Sequence, residues 1–233
     1  MAQSTYLQLV NDLLVEVNEV ELSETQFASA TGVQKHAKNA INNSLREIEA
    51  DQYYWPFNLE EGTITAVPYQ EVYAFPSDAK IIDFDSFQIQ KDATLGVNHQ
   101  TLKEMDFEEW LLKFRDQESD KSFDQSGGTV PTHVIRGPGR NIRLYPTPDK
   151  SYTIKYDYYL RPISLSDKDD TCKIPEEFEH VIISGGMVWF NLFLDNEAQS
   201  DYVNKTKFKP QLKQMRSLLI NDDIYVFDRR LRY

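Results

Sequence analysis

Four histidines, one cysteine and 37 carboxylates are the residues of this chain whose types could do chemistry, and their spacing decides which chemistry is open to them. His36, His99, His133 and His180 lie far apart, with neither the HxxxH nor the HExxH spacing that puts two imidazoles on one helical face, so no zinc site on a helix is encoded. Each reads as a structural or surface histidine. Gly137-Pro138-Gly139-Arg140 is glycine-rich, but proline stands where a phosphate cradle needs a backbone N–H, and no Lys-Ser or Lys-Thr pair follows. It reads as a turn. Cys172 sits in a polar linker with no neighbouring histidine, and no GxSxG elbow occurs, so no nucleophile has local support. The carboxylates could hide an acid/base pair, but nothing separates two of them from the solvated faces where acids ordinarily sit. The sequence assigns no catalytic residue, no metal ligand and no cofactor.

Two other groups of residues could bind rather than react. Lys205, Lys207, Lys209, Lys213 and Arg216 occur with no acid between them, which suits either a solvated helix face or a contact with an acidic neighbour or passing DNA. Further on, Ile224, Tyr225, Val226 and Phe227 precede Arg229, Arg230, Arg232 and Tyr233. Disordered ends seldom concentrate Ile, Tyr, Val and Phe, so this stretch reads as an arm that orders on a partner. The net charge of −12 argues against tight, sequence-independent nucleic-acid binding, which needs basic residues to displace counterions. A lone cysteine excludes a disulfide framework, and the opening MAQSTYLQLVNDLL has no basic segment ahead of an apolar run, so assembly in a reducing cytoplasm is expected. No membrane span is expected either. The longest apolar stretch, Val181 to Leu194, is shorter than the roughly 18 residues a span needs and is broken by Ser184, Gly185, Gly186 and Asn191.

Helical periodicity marks both ends of the chain. Tyr6, Leu9, Val10, Leu13, Leu14 and Val17 share one face of a first helix with Ser4 as its expected N-cap. Ser23 and Gln26 have capping-box spacing, and Val33, Ala37, Ala40, Ile41, Leu45 and Ile48 describe a long helix ending near Gln52, where Tyr53-Tyr54-Trp55-Pro56-Phe57 reads as a core plug. Pro175 opens the strongest helix, with Phe178, Val181, Ile182, Gly185, Trp189 and Phe193 at threes and fours. Gly185-Gly186 inside it implies close approach of another backbone. A further segment, Ala198 to Leu219, should be kinked or divided at Pro210. Between these ends lie short β-type runs, 62–67, 71–75, 81–90 and 132–136, a short helix from Asp106 to Arg115, and an acidic loop, Asp116 to Asp124. Ile142 to Pro162 alternates with period two on either side of Pro146, Pro148 and Asp149, which predicts a β-hairpin.

The expected fold class is α+β, a four-helix bundle with a β-rich insertion and an extended C-terminal arm. Its parts are residues 1–57 and 164–221 for the helices, 58–163 for the insertion and 222–233 for the arm. Tyr6, Leu13, Val33, Ile41, Ile48, Val181, Trp189 and Leu212 are expected to share one helical core.

In order along the chain, the helix ending in an aromatic-Trp element (Ile48 to Phe57), Phe75-Pro76-Ser77-Asp78, Tyr145-Pro146-Thr147-Pro148-Asp149 and Ile174-Pro175-Glu176-Glu177 resemble the head-to-tail adaptor proteins of short-tailed bacteriophages, the tail tubular protein A and head-completion adaptor group. The resemblance covers roughly Tyr6 to Leu219. It implies a virion protein of the neck, a twelve-fold homo-oligomeric ring between the portal protein and the tail nozzle protein. The β-rich part would turn toward the nozzle, and duplex DNA would pass transiently through the lumen. On that reading Ile224 to Tyr233 is the portal-binding element and the lumen is mainly acidic. Two other classes remain open: a carbohydrate- or receptor-binding module stacking sugars on Tyr156 to Tyr159, and a hydrolase with an unrecognised carboxylate pair.

Overall fold

A computed structural model describes residues 3–92, 94, 96–114 and 129–220. The chain divides into two units, one from residues 1–58 and 162–233 and the other from Leu59 to Arg161. Each has its own buried apolar cluster.

The first unit is helical: α1 (Tyr6–Glu16), α2 (Glu24–Phe27), α3 (Gly32–Asp51), α5 (Glu179–Phe193), α6 (Glu197–Val203) and α7 (Lys209–Leu219), with α4 (Phe107–Lys113) belonging to the other unit. The cap of α1 is Thr5, not Ser4: Thr5 Oγ1 accepts from Gln8 N–H and the Gln8 side chain accepts from Thr5 N–H. Ser4 is drawn away by Glu179, whose carboxylate accepts from both its N–H and its hydroxyl at 2.8 and 2.6 Å. The Ser23–Gln26 box does open α2. The polar stretch after Pro162 is firmly held. Asn42 exchanges two hydrogen bonds with the Leu165 backbone, and the carbonyls of Lys168 and Asp170 accept from the N–H groups of Leu7 and Tyr6, which the first turn of a helix leaves without partners.

Tyr6, Leu13, Ile41, Ile48, Val181 and Leu212 lie in one core with fully buried Trp55, whose indole donates to the Ile48 carbonyl at 2.9 Å. Two members of the expected set differ. Val33 is only partly buried, and Trp189 is 38% exposed, its indole N–H donating to the Glu47 carboxylate at 3.0 Å. The helical period that placed Trp189 with the core also carries it to the rim. Tyr53 likewise points outward while Trp55 plugs the core.

Gly185 and Gly186 do admit a close neighbour, but side chains fill the space rather than a backbone. Ser44 of α3 and Phe208 crowd Gly185, and Ile41 and Leu13 crowd Gly186, so α1, α3 and α5 meet there. Ser44, fully buried, donates to the Ile182 carbonyl at 2.8 Å. Pro210 divides its helix without ending it: a π turn, Asn204–Phe208, joins α6 to α7, and Pro210 stands in the first turn of α7, where a helix tolerates a missing N–H.

The second unit contains two sheets. In one, β9 (Thr153–Leu160) pairs antiparallel with β1 (Leu59–Thr65) on one side and with β3 (Ala79–Ile82) and β4 (Gln88–Ile89) on the other, and β4 continues to β5 (Gln100–Thr101). In the other the order is β2 (Val72–Ala74), β8 (Asn141–Tyr145), β7 (His133–Gly137) and β6 (Lys103–Met105), with β6 parallel to β7. The expected Ile142 to Pro162 hairpin is therefore not one. Both strands exist, but β8 and β9 belong to different sheets and the chain crosses between them through Pro146 to Tyr152. The hairpin that does form is β7–β8, turned by Gly137 to Arg140, with Gly139 and Arg140 at φ 74° and 62°. Across β1 and β9, Gly62 faces Tyr156, whose ring lies where a Cβ would stand, and Tyr156 stacks on Phe87 at 4.7 Å. Helix α4 (Phe107–Lys113) brings Trp110 to 4.1 Å from the Arg143 guanidinium, which also pairs with Glu71.

Candidate partner-binding surfaces

Cys172 and three of the four histidines are engaged locally, and His180 lines the groove described below. Cys172 is buried, and burial pushes its thiol pKa up, the reverse of what a nucleophile needs. His36 stacks on Phe193 at 3.4 Å, His99 bonds the Gln88 side chain, and His133 bonds Thr132. Among the described residues no group of three or more His, Cys, Asp or Glu is placed to hold a metal ion. Of the tyrosines that might have stacked a sugar, Tyr158 is partly exposed, its hydroxyl donating to the Asp78 carboxylate at 3.4 Å. Tyr156 and Tyr159 are buried, and burial, with Tyr158 and Asp78 nearby, pushes the Tyr156 hydroxyl up to about 12.

The basic stretch lies along the π turn and α7. Lys205 pairs with Asp201 at 3.0 Å, one turn away, Lys207 reaches Glu16 at 4.0 Å, and Arg216 stands 3.8 Å from Asp51. Lys209 and Lys213 are exposed and form no ion pair among the described residues. Solvent and helix partners thus absorb three of the five charges, which leaves two for an outside contact. The arm, Ile224, Tyr225, Val226, Phe227, Arg229, Arg230, Arg232 and Tyr233, lies outside the described residues.

Two surfaces of the helical unit have no counterpart in the sequence reading. One is the end of α5 and the residue after it, where Trp189, Leu192, Phe193 and Leu194 are 38–50% exposed. Three lie at i, i+3 and i+4, one face of a helix, so together they form an apolar row without a Lys, Arg, Asp or Glu inside it. The other is a groove of about 340 Å³ between the 3₁₀ turn Glu176–Phe178 with the start of α5 on one side and α7 on the other. Its floor is Phe178 and Met215, its rim Leu218 and Leu219, and Gln211 lines it. The Gln211 Oε1 atom is buried and has no hydrogen-bond partner among the described residues. Gln211, Met215 and Leu218 recur at helical spacing and so share one side of α7. Only the 66% exposure of Leu218 reveals the opening.

Residues 4–231 match the SU10 adaptor protein family. The chain belongs to that family. It is accordingly a structural adaptor of a bacteriophage virion, which works through contacts with other phage head and tail proteins and is not of an enzyme class. No curated protein sequence matches the chain. Its mixed helical and strand content agrees with the α+β class, and no described helix is long and apolar enough to cross a membrane.

Proposed function

We propose that the chain is one subunit of a twelve-fold ring between the capsid portal and the tail nozzle, through whose channel the genome passes. The family match across 228 of 233 positions, residues 4–231, carries the reading, because it spans both units rather than one motif. The helical core would be the four-helix bundle of the adaptor, the β unit its nozzle side, and Ile224 to Tyr233 its portal-binding arm, with apolar residues to be held and arginines for charge-assisted contacts to carboxylates. The exposed row from Trp189 to Leu194 supports side-to-side packing of copies, since a ring subunit must bury area on each neighbour. The charge of −12 supports a lumen in which DNA is repelled and slides, because each phosphate ion pair would add affinity.

Light scattering after size exclusion tests this, with the protein alone and mixed with portal rings. A species carrying twelve copies of the 27.2 kDa subunit, alone or only on the portal, is the expected result. A monomer that ignores portal and binds glycans would replace the reading with a receptor-binding module.

A further inference from the structure

We propose that the two apolar surfaces of the helical unit are the two halves of one contact: the row at the end of α5 in one copy seats in the groove beside α7 of the next. This deepens the ring reading and rests on it for closure, not for the contact itself. From Val181 onward α5 is apolar on nearly every side, which suits a helix that is covered all round. No residue from Val181 to Val188 is exposed, yet Trp189, Leu192 and Phe193, with Leu194 after them, are open by 38–50%. No described element closes over them. A helix that keeps this composition to an end its own fold leaves open has a use for cover from outside.

The groove is the complement of that row. Phe178 and Met215 form its floor, Leu218 and Leu219 its rim, and its volume of about 340 Å³ admits side chains of the size the row offers. One chain cannot satisfy itself. His180 lines the groove and Trp189 heads the row, nine residues on, which is about two and a half turns and a rise of about 14 Å. The two surfaces therefore lie on opposite sides of α5 and toward its opposite ends, and a second copy is what carries a row to a groove. Such a contact is head-to-tail: it leaves a free row on one copy and a free groove on the other, so it repeats, and it closes into a ring where the rotation allows. A twofold pair would instead set row against row. The polar edge fits as well, since His36 stacks on Phe193 at 3.4 Å and brings an imidazole N–H to the row, while Gln211 Oε1 in the groove is buried with no donor among the described residues. A buried acceptor is costly until a donor reaches it. Area sets the strength. Four side chains exposed by 38–50% offer about 300 Å², against about 800 Å² per partner in a stable pair, so a single contact holds weakly and a closed ring, in which every subunit makes it on both sides, holds well.

Cysteine cross-linking of full-length chains tests the proposal, with a short bifunctional maleimide that captures weak contacts. Leu192→Cys and Leu218→Cys are changes at exposed positions, and Cys172 is buried, so the wild type should give no adduct. A mixture of the two variants should give covalent dimers, each variant alone none, and the double variant a ladder of higher multiples. Adding Leu194→Arg to the Leu192→Cys chain, a change at an exposed position that leaves the melting temperature in place, should abolish the dimer. No adduct in the mixture overturns the proposal. So does an adduct from Leu192→Cys alone, which sets row against row, and so does one that survives Leu194→Arg. Portal binding is read separately. If the ladder forms but portal rings carry no twelve-fold ring, the ring reading fails and the contact stands; if a twelve-fold ring forms on the portal and no adduct joins positions 192 and 218 within it, the contact fails and the ring reading stands.

Discussion

Gly185→Ala perturbs the point on which the helical unit turns. Alanine is the better helix former by about 1 kcal/mol, so on propensity alone the variant would be more stable. Against that, a Cβ on Gly185 falls inside the Ser44 hydroxyl, 3.0 Å from Ser44 Cβ and 2.8 Å from Phe208 Cε2. Ser44 and Phe208 are both buried and have little room to retreat. Overpacking of this kind costs about 1–3 kcal/mol. Displacing the Ser44 hydroxyl from the Ile182 carbonyl, its acceptor at 2.8 Å, adds a further cost of about 1–3 kcal/mol. The net expectation is a loss of about 3 kcal/mol, read from urea denaturation of the isolated subunit by far-ultraviolet circular dichroism. Gly186→Ala is the control. There the nearest atoms are Ile41 Cδ1 and Leu13 Cδ2 at 3.1 Å, the ends of flexible side chains, and the change should stay within about 1 kcal/mol of zero. In a Ser44→Ala background the penalty at Gly185 should shrink by about half, because the hydroxyl that clashes is gone. A Gly185→Ala protein as stable as the wild type would refute the packing of α3 on α5.

Trp55→Ala should cost about 3–5 kcal/mol, while Trp189→Ala should cost clearly less, since Trp55 is fully buried and Trp189 is 38% exposed; acrylamide should quench Trp189 and spare Trp55. Asp170 accepts from the N–H groups of Ser166 and Asp167, which holds its carboxyl below the usual range. Its contribution to stability is therefore present above the unfolded pKa and lost as pH falls through the lowered folded one. Asp170→Asn should accordingly lower the melting temperature at pH 7 and converge with the wild type in acid. With only Lys209 and Lys213 unpaired on the basic stretch, duplex DNA should bind weakly, with log K falling against log salt at a slope no steeper than about −2. Deleting residues 224–233 should leave the circular dichroism of the helical unit intact, because its core closes at Ile220, and should abolish attachment to portal rings.

The helical unit was legible in the sequence because each helix carries its own signals. Tyr6 to Leu14 mark one face, Ser23 with Gln26 a start, and Pro175 another, all local in the chain. The sheets were legible only as strands. Period-two alternation tells that Ile142 and Leu144 face inward, and so do Ile154 and Tyr156, but it carries no information about which strand lies alongside. Thus β8 and β9, seven residues apart, were read as partners when each pairs elsewhere. The parallel β6–β7 pairing leaves no local trace for the same reason. Burial along a helix follows from neighbours as well as period, so Trp189 fits a core pattern while the structure leaves it 38% exposed. The basic stretch was visible as composition, but its neutralisation by Asp201, Glu16 and Asp51 depends partly on contacts across the unit.

Imaging a complex of the full-length protein with portal rings tests the proposed place of this chain in the virion neck. Twelve copies in a closed ring on one face of the portal, with an open channel on the axis, are expected. Copies absent from that face, or bound to it without a common rotational axis, would contradict it.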